Sequence, residues 1–406
     1  MIKHKGWLLL IAIVVVFIGG SWGIHSYYYG GEAYYTQIVS NGTRMEEKDS
    51  AGETVIDYNY QQAAYNEDGV TKKVDFNGNK STPLKRNAYL KLIVNKNKGV
   101  VSWEKVAKNE VPDKADQFKT KYHAPEATSY TDLDGFMNAN EFETVYIASP
   151  NSLHFEQAKQ AILAGKNVIV EKPAFSNPAE MAAMQALLKQ HPDQFLFEAA
   201  RHIHEANFKI VQQAINALPA INGATLSYMK YSSRYDAVLA GEEPNIFSPH
   251  FSGGALQDLG VYVVYDAVSW FGVPDSVDYQ AELLPTGVDG KGVATLRYPT
   301  FNVTLIFGKT VDSYLTSEIY GGQTTIVLDN AGTIGSVDRY SEGGQKIESL
   351  GEQSLANPMV AEAENFAAMI ANRDTKRYHE LLQLSESVNQ VLYQLRQSAG
   401  ITFDAD

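Results

Sequence analysis

Two short apolar strands, each running directly into a polar loop, set the architecture of this chain. Thr144 to Ala148 leads into Ser149-Pro150-Asn151-Ser152-Leu153-His154, and Asn167 to Val170 leads into Glu171-Lys172-Pro173. Between them Phe155, Ala158 and Ile162 mark one face of a helix that ends at Gly165. Apolar strands alternating with amphipathic helices form a parallel sheet. Ligands of such sheets bind at the carboxyl ends of the strands, where these two loops begin.

The pattern continues downstream. Asn177-Pro178-Ala179-Glu180 opens a helix with a cap, a proline at its first position and a glutamate at its third. Phe195 to Glu198 is a further strand, and Ile210, Val211, Ala214 and Leu218 stripe the helix after it. After Asn222 the texture changes to strands in succession: Thr225–Tyr231, Val277–Leu283, Val293–Tyr298, Asn302–Phe307, Leu315–Tyr320 and Thr324–Leu328. A helix beginning near Gly254 interrupts the first two. Hairpin-like turns predict an antiparallel sheet in an α+β domain, closed by helices over Val360–Ile370 and Leu381–Ala399. Gly287 to Gly292 is rich in glycine but sits between strands and opens no helix, so it is expected as a plain loop.

Upstream, residues 27 to about 113 carry short Tyr-, Val-, Ile- and Thr-rich segments separated by Asn41-Gly42, Glu67-Asp68-Gly69 and Asn77-Gly78, the pattern of a small barrel. Its tyrosines (Tyr34, Tyr35, Tyr58, Tyr60, Tyr65, Tyr89) fit cross-strand packing better than a binding face. Before it, Trp7 to Ile24 holds no charged residue and follows Lys3, His4 and Lys5. Such a run spans ~27 Å as a helix, just enough for a hydrocarbon core. The basic flank keeps the N-terminus inside, so the sequence predicts an uncleaved anchor with the bulk of the chain extracytoplasmic. A cleaved signal peptide is the competing expectation, though no A-x-A-like site follows the run.

A net charge of −13 argues against a nucleic-acid partner. The absence of cysteine removes thiolate nucleophiles, iron–sulfur clusters and cysteine zinc sites. His202 and His204, two apart at a strand-to-helix junction beside Glu205, have poor ligand spacing and no third motif, so no metal is expected.

Three residues carry the candidate chemistry. Lys172, at a strand end, can hold a substrate hydroxyl or lend a proton, or it is an exposed loop lysine paired with Glu171. Asp258 and Tyr262 are helical neighbours after Gly253-Gly254, with Asp266 one turn on. Tyr262 can act as an acid toward an alkoxide if a lysine lowers its pKa, or it simply packs under the sheet. His154 touches a phosphate or caps its own helix.

From Ala115 onward the chain resembles the Gfo/Idh/MocA family of NAD(P)-dependent oxidoreductases. The likeness rests, in family order, on Val145 to Asn151 with His154, Glu171-Lys172-Pro173, Glu198-Ala199-Ala200-Arg201, Gly253 to Tyr262, and the late helices with Glu364, Phe366 and Ala399-Gly400-Ile401. It implies NAD or NADP as cofactor and a sugar-like substrate. Ser149, Pro150, Asn151, His154, Glu171, Lys172, Pro173 and Arg201 would face the cofactor, with Lys172, Asp258 and Tyr262 catalytic. Tyr262 stands where histidine is common in the family. An oligomer through the open face of the C-terminal sheet is also implied. The family's opening strand and glycine turn have no counterpart, since residues 25–115 contain no G-x-G-x-x-G. Cofactor binding by this chain is therefore expected to be impaired.

Residues 1–114 resemble the YxeA family of small exported or membrane-anchored proteins, through Gly30-Gly31 with Tyr34-Tyr35, Tyr65 to Gly69 and Ala88 to Leu92. That family brings no reaction. The expected fold is thus multidomain: a membrane helix or signal segment (1–26), a small all-β barrel (27–114), a truncated Rossmann-like α/β domain (115–221) and an α+β substrate domain with an antiparallel sheet (222–406). Two functions remain open at this level. One is an oxidoreductase acting on a sugar, polyol or related compound, cytoplasmic if that part alone is considered. The other is a non-catalytic, membrane-tethered fusion or remnant that has lost dinucleotide binding.

Overall fold

In the computed structural model of the chain, the residues described are 31–38, 40–48, 54–66, 71–96, 98–107, 128, 130 and 132–406. They divide into two units, 1–131 and 132–406.

The first unit is one antiparallel sheet of six strands: β1 (Glu32–Gln37), β2 (Thr43–Lys48), β3 (Thr54–Asn66), β4 (Thr71–Asn77), β5 (Tyr89–Asn95) and β6 (Gly99–Val106). The long β3 organises it, pairing β2 through its first half, β4 through its second and β1 at Tyr65 and Asn66. Alternation along the strands turns Tyr60, Ala64, Val74, Phe76, Leu90 and Leu92 inward. Tyr60 stacks on Phe76 at 5.5 Å and its hydroxyl accepts from the Leu84 N–H at 2.7 Å, so it belongs to the core. Tyr34 and Tyr35 are buried as well. No ladder joins β4 to β6 among the described residues, although the Trp103 indole of β6 donates to the Asn77 carbonyl of β4 at 2.9 Å.

The second unit opens with a short helix, α1 (Leu133–Met137), and a parallel sheet of three described strands in the order β7 (Thr144–Ile147), β8 (Asn167–Glu171), β9 (Leu196–Ala199). Helices α2 (His154–Leu163) and α3 (Pro178–Gln190) cover one face, burying Ala158, Ile162, Met181 and Met184 against Val168 and Val170. Asn177 caps α3 as expected, its side chain accepting from the Glu180 N–H at 2.9 Å. After α4 (Ala206–Asn216) come β10 (Gly223–Met229), α5 (Tyr235–Leu239), α6 (Val261–Phe271) and strands β11 (Ser276–Leu283), β12 (Asp289–Arg297), β13 (Asn302–Gly308), β14 (Ser317–Gly321), β15 (Thr324–Leu328), β16 (Val337–Ser341) and β17 (Gln345–Ser349). Helices α7 (Met359–Asn372) and α8 (Thr375–Ser398) close the chain. They back the parallel sheet, with Phe197 of β9 stacked on Phe366 of α7 at 4.5 Å.

Three expectations need correction. The large sheet, ordered β11-β12-β13-β10-β14-β15-β16-β17, is mixed rather than antiparallel, because β10 runs parallel to β13. The connection leaving β10 is long and carries α6, which allows a crossover that hairpin reasoning overlooks. The glycine-rich loop is shorter than expected, since β12 begins at Asp289. Finally, the N-terminal membrane helix is withdrawn from the fold class: no helix among the described residues is long and apolar enough to cross a membrane. Its expected span, residues 7–24, lies outside the described residues. The membrane as a partner and the membrane-anchored, extracytoplasmic placement go with it.

Candidate active site

The carboxyl ends of β7 and β8 lie side by side, with Ile147 in register with Val170. Ala148 is exposed, and Ser149, Pro150, Asn151, Glu171 and Lys172 are half-buried, forming an open shelf at the strand ends. His154 lies beneath it, fully buried. Its Nε2 is 2.9 Å from the Ser149 carbonyl and its Nδ1 3.0 Å from the Pro173 carbonyl. Both ring nitrogens thus face carbonyl oxygens of the two loops; burial lowers the imidazole pKa, and the neutral ring it favours donates to one of them. His154 and Pro173 therefore shape the shelf from below. Asn151 reaches across to the next layer, donating to the Ser252 carbonyl at 2.9 Å.

On β8, Glu171 accepts a hydrogen bond from the Tyr146 hydroxyl at 2.7 Å. Burial first, and then this carboxylate, raise the Tyr146 pKa well above its ordinary range. Below the strand end, the buried Glu198 accepts from the Ala174 N–H at 3.1 Å and from the Ser385 hydroxyl, fixing the chain just past Lys172.

Asp258 arrives from the other side of the cleft. A side chain at Gly253 would meet the Ile246 backbone at 2.7 Å, and one at Gly254, where φ is +114°, would lie 2.2 Å from an Asp289 oxygen. Only glycine fits there. The chain then makes a π-helical turn, Leu256–Gly260, whose first N–H is held by Asp289 at 2.7 Å, before continuing as α6. Such turns alter the helical hydrogen-bond ladder and recur at functional sites. Here Lys172 Nζ donates hydrogen bonds to the Asp258 carbonyl and to Asp258 Oδ1, each at 2.7 Å.

Lys309, which sequence reasoning missed, donates to the other carboxylate oxygen of Asp258. It follows β13 directly, and its only signal was a lysine at a strand end beyond Gly308. Its side chain is 2% exposed, against 13% for Lys172 and 36% for Asp258. Burial would raise the Asp258 pKa, but the two ammoniums hold it well below the usual carboxylate range. Burial also works against the Lys172 charge, yet Asp258 and Tyr262 raise its pKa on balance; for Lys309, burial prevails and the pKa is lowered.

Tyr262 lies one turn beyond Asp258, with the Lys172 ammonium 5.0 Å from its ring centre. His202 and Tyr228 pack on the ring at 4.8 and 5.3 Å, and the Arg201 guanidinium lies 5.9 Å away. The structure thus brings Lys172, Asp258 and Tyr262 together. Arg201 flanks Tyr262, paired with Glu205 at 2.6 Å and bonded to Thr333 at 2.8 Å. His202 turns inward, its Nε2 3.4 Å from the buried Asp266, and burial pushes its pKa down to about 3. His204 packs edge-on against Phe366 at 5.0 Å.

A parallel sheet covered by helices and continued by a large mixed sheet is the architecture of Rossmann-type oxidoreductases. Residues 104–199 match the family described as "Oxidoreductase family, NAD-binding Rossmann fold", and residues 27–109 match "Protein of unknown function (DUF1093)". The chain is 37% identical over 277 residues to the uncharacterized oxidoreductase YgjR of Escherichia coli, covering 68% of this chain and 83% of that protein. It is 35% identical over 295 residues to scyllo-inositol 2-dehydrogenase (NADP(+)) IolU of Bacillus subtilis, covering 72% and 88%. Among solved structures, aldose-aldose oxidoreductase from Caulobacter crescentus complexed with glycerol shares the fold with a TM-score of 0.60, at 20% identity over 71% of this chain and 87% of that one. The chain belongs to the Gfo/Idh/MocA family of NAD(P)-dependent oxidoreductases.

Proposed function

We propose that this protein oxidises a secondary hydroxyl of a cyclic polyol or sugar, or reduces the corresponding ketone, with NADP(H) as the preferred cofactor. The meeting of the Lys172 ammonium with Asp258 beside Tyr262, at the carboxyl end of β8, carries this reading. The likeness to a scyllo-inositol 2-dehydrogenase (NADP(+)) supports the polyol.

When bound, the nicotinamide gives or takes the hydride at the substrate carbon. The open shelf of Ser149, Pro150, Asn151 and Glu171 suits the nicotinamide ribose at the strand ends. An ammonium carries three N–H donors, and Lys172 directs two of them to Asp258. The third holds the substrate oxygen. Tyr262 gives its hydroxyl proton to that oxygen during reduction and takes one back during oxidation. In the oxidising direction a secondary alcohol and NADP+ become a ketone, NADPH and one proton.

The pyrophosphate end of the cofactor is the weak point of this site, because residues 25–115 hold no glycine turn for it. Each charge-assisted bond forgone costs roughly 1.5–3 kcal/mol, about tenfold or more in affinity. The likeness of residues 27–114 to the YxeA family is part of the same proposal and assigns no reaction.

The test is steady-state NADPH formation from NADP+ and a panel of polyols headed by scyllo-inositol, with calorimetric titration of NADP+ alongside. The expected result is turnover with a high cofactor KM. If no member of the panel, with either NADP+ or NAD+, is turned over, the reading fails, and the remnant function takes its place.

A further inference from the structure

Lys309 is held more tightly than an incidental ion-pair partner needs to be. Its N–H donates to the Gly290 carbonyl at 2.8 Å, its carbonyl accepts from the Ser232 N–H at 2.8 Å, and the Gly308 carbonyl before it accepts from Lys230 at 3.0 Å. The main chain at this point is therefore fixed from both neighbouring strands, β12 and β10. The ammonium lies 5.0 Å from the Phe247 ring centre, which shields it from solvent. With a side chain 2% exposed, it cannot serve as a surface charge or reach a substrate in the cleft.

Its partner explains the arrangement. Asp258 has three acceptor positions in use: its carbonyl and Oδ1 by Lys172, and Oδ2 by Lys309. With Lys172 alone, the carboxylate would be free to rotate and to swing both oxygens onto one ammonium. It would also neutralise that ammonium. With Lys309 in place, the cluster carries two positive charges against one negative, and a net positive charge remains beside Tyr262. We propose that Lys309 is a positioning residue: by holding Oδ2, it keeps Asp258 ionised and oriented, so that Lys172 keeps its third proton and its charge for the substrate oxygen. This rests on the assignment of Lys172 as the group that holds that oxygen.

Charged and titratable groups face the cluster from every element packed around it: Lys172 and Glu171 from the end of β8, Glu198 from β9, Arg201 and His202 from the turn after β9, Tyr262 from α6, Tyr228 from β10 and Asp289 from β12, while Lys309 itself follows β13. Asp289 spends its Oδ2 on the Leu256 N–H and on the Tyr279 hydroxyl at 2.6 Å, while the ion pair of Lys309 is with Asp258. Lys309 is therefore the group whose loss changes the charge of the cluster without touching the residues that meet substrate.

The full chain, labelled with 13C-aspartate, tests this by a carbon NMR titration of the Asp258 carboxylate, assigned through Asp258→Asn. In Lys309→Met its midpoint should rise by a unit or more toward the ordinary carboxylate value. Lys309→Arg should leave it near that of the parent. The acid limb of polyol oxidation with NADP+ should move with the midpoint, and kcat should fall about tenfold while the polyol KM stays within about twofold. Where the methionine variant does not fold, Lys309→Gln removes the same charge. An unchanged midpoint and acid limb in Lys309→Met or Lys309→Gln overturns the proposal, as does an arginine variant that behaves like methionine. A parent that oxidises no polyol overturns the functional reading instead, and the carboxylate midpoint then still decides whether Lys309 governs Asp258.

Discussion

Lys172 and Asp258, 86 residues apart, are joined by two bonds from one ammonium, 2.7 Å to the carboxylate and 2.7 Å to the main-chain carbonyl of the same residue. A lysine fixed at two points keeps one proton in a defined direction, which a freely rotating surface lysine does not. The cluster is thus preorganised before any substrate arrives.

Replacing Lys172 should therefore remove turnover without removing the fold. Lys172→Met is expected to lower kcat by about 10²–10⁴-fold, the usual range for a positioned proton-handling group. Lys172→Arg should not rescue it, because a planar guanidinium cannot take the place of a compact ammonium with three divergent protons. Steady-state kinetics on both variants, with circular dichroism as the control, decide this. Turnover within a few-fold of the parent in Lys172→Met would remove it from the mechanism.

Tyr262→Phe isolates the hydroxyl. The ring keeps its packing on His202 at 4.8 Å and Tyr228 at 5.3 Å, so the melting temperature should change little. The expected loss is about 10²-fold or more in kcat, with substrate KM nearly unchanged. A variant that melts several degrees lower but turns over normally would make Tyr262 a packing residue.

Glu362 on α7 is 2% exposed, its Oε2 finds no partner, and burial pushes its pKa up to about 8. In the unfolded chain the same carboxyl ionises near about pH 4.3. Between those values the folded state holds a proton that the unfolded chain has lost, so this residue makes stability fall as pH rises. Glu362→Gln cannot ionise. Its melting temperature relative to the parent should climb from pH 5 to pH 8 and show no gain near pH 4, all values being about. A constant difference across that range would mean that the carboxyl is ionised in the fold.

Gly254→Ala places a methyl group 2.2 Å from an Asp289 oxygen at a φ of +114°. Strain of this kind costs about 1–3 kcal/mol. Because Asp289 holds the first N–H of the π-helical turn that carries Asp258, activity should fall along with stability. Gly165→Ala is the control: its φ is also positive, at +76°, but nothing lies within 4 Å of the added carbon. Differential scanning calorimetry should show the larger loss at Gly254; equal losses would mean that the clash is relieved by free movement of Asp289.

Local sequence determined the elements that local physics controls. The alternation of apolar positions with helical stripes gave β7, α2, β8 and α3 close to their observed limits, and Asn177-Pro178-Ala179-Glu180 announced the α3 cap. The strand-end loops at Ser149 and Glu171 were legible because, in a parallel sheet, the carboxyl ends are where side chains are left open to a ligand. Asp258 and Tyr262 were legible as helical neighbours.

What the sequence could not carry was the contact between segments that no periodicity relates. Whether β10 joins β13 in parallel depends on a crossover, and its strand pattern reads the same in either direction. Lys309 looked like any lysine after a strand, and only the packing of β13 beneath the π-helical turn puts its ammonium against Asp258. His154 could be read as a phosphate ligand until the fold turned both ring nitrogens toward carbonyl oxygens. Propensity acts over a few neighbouring residues, whereas the charge and geometry of a site are set by side chains that meet only after the chain has folded.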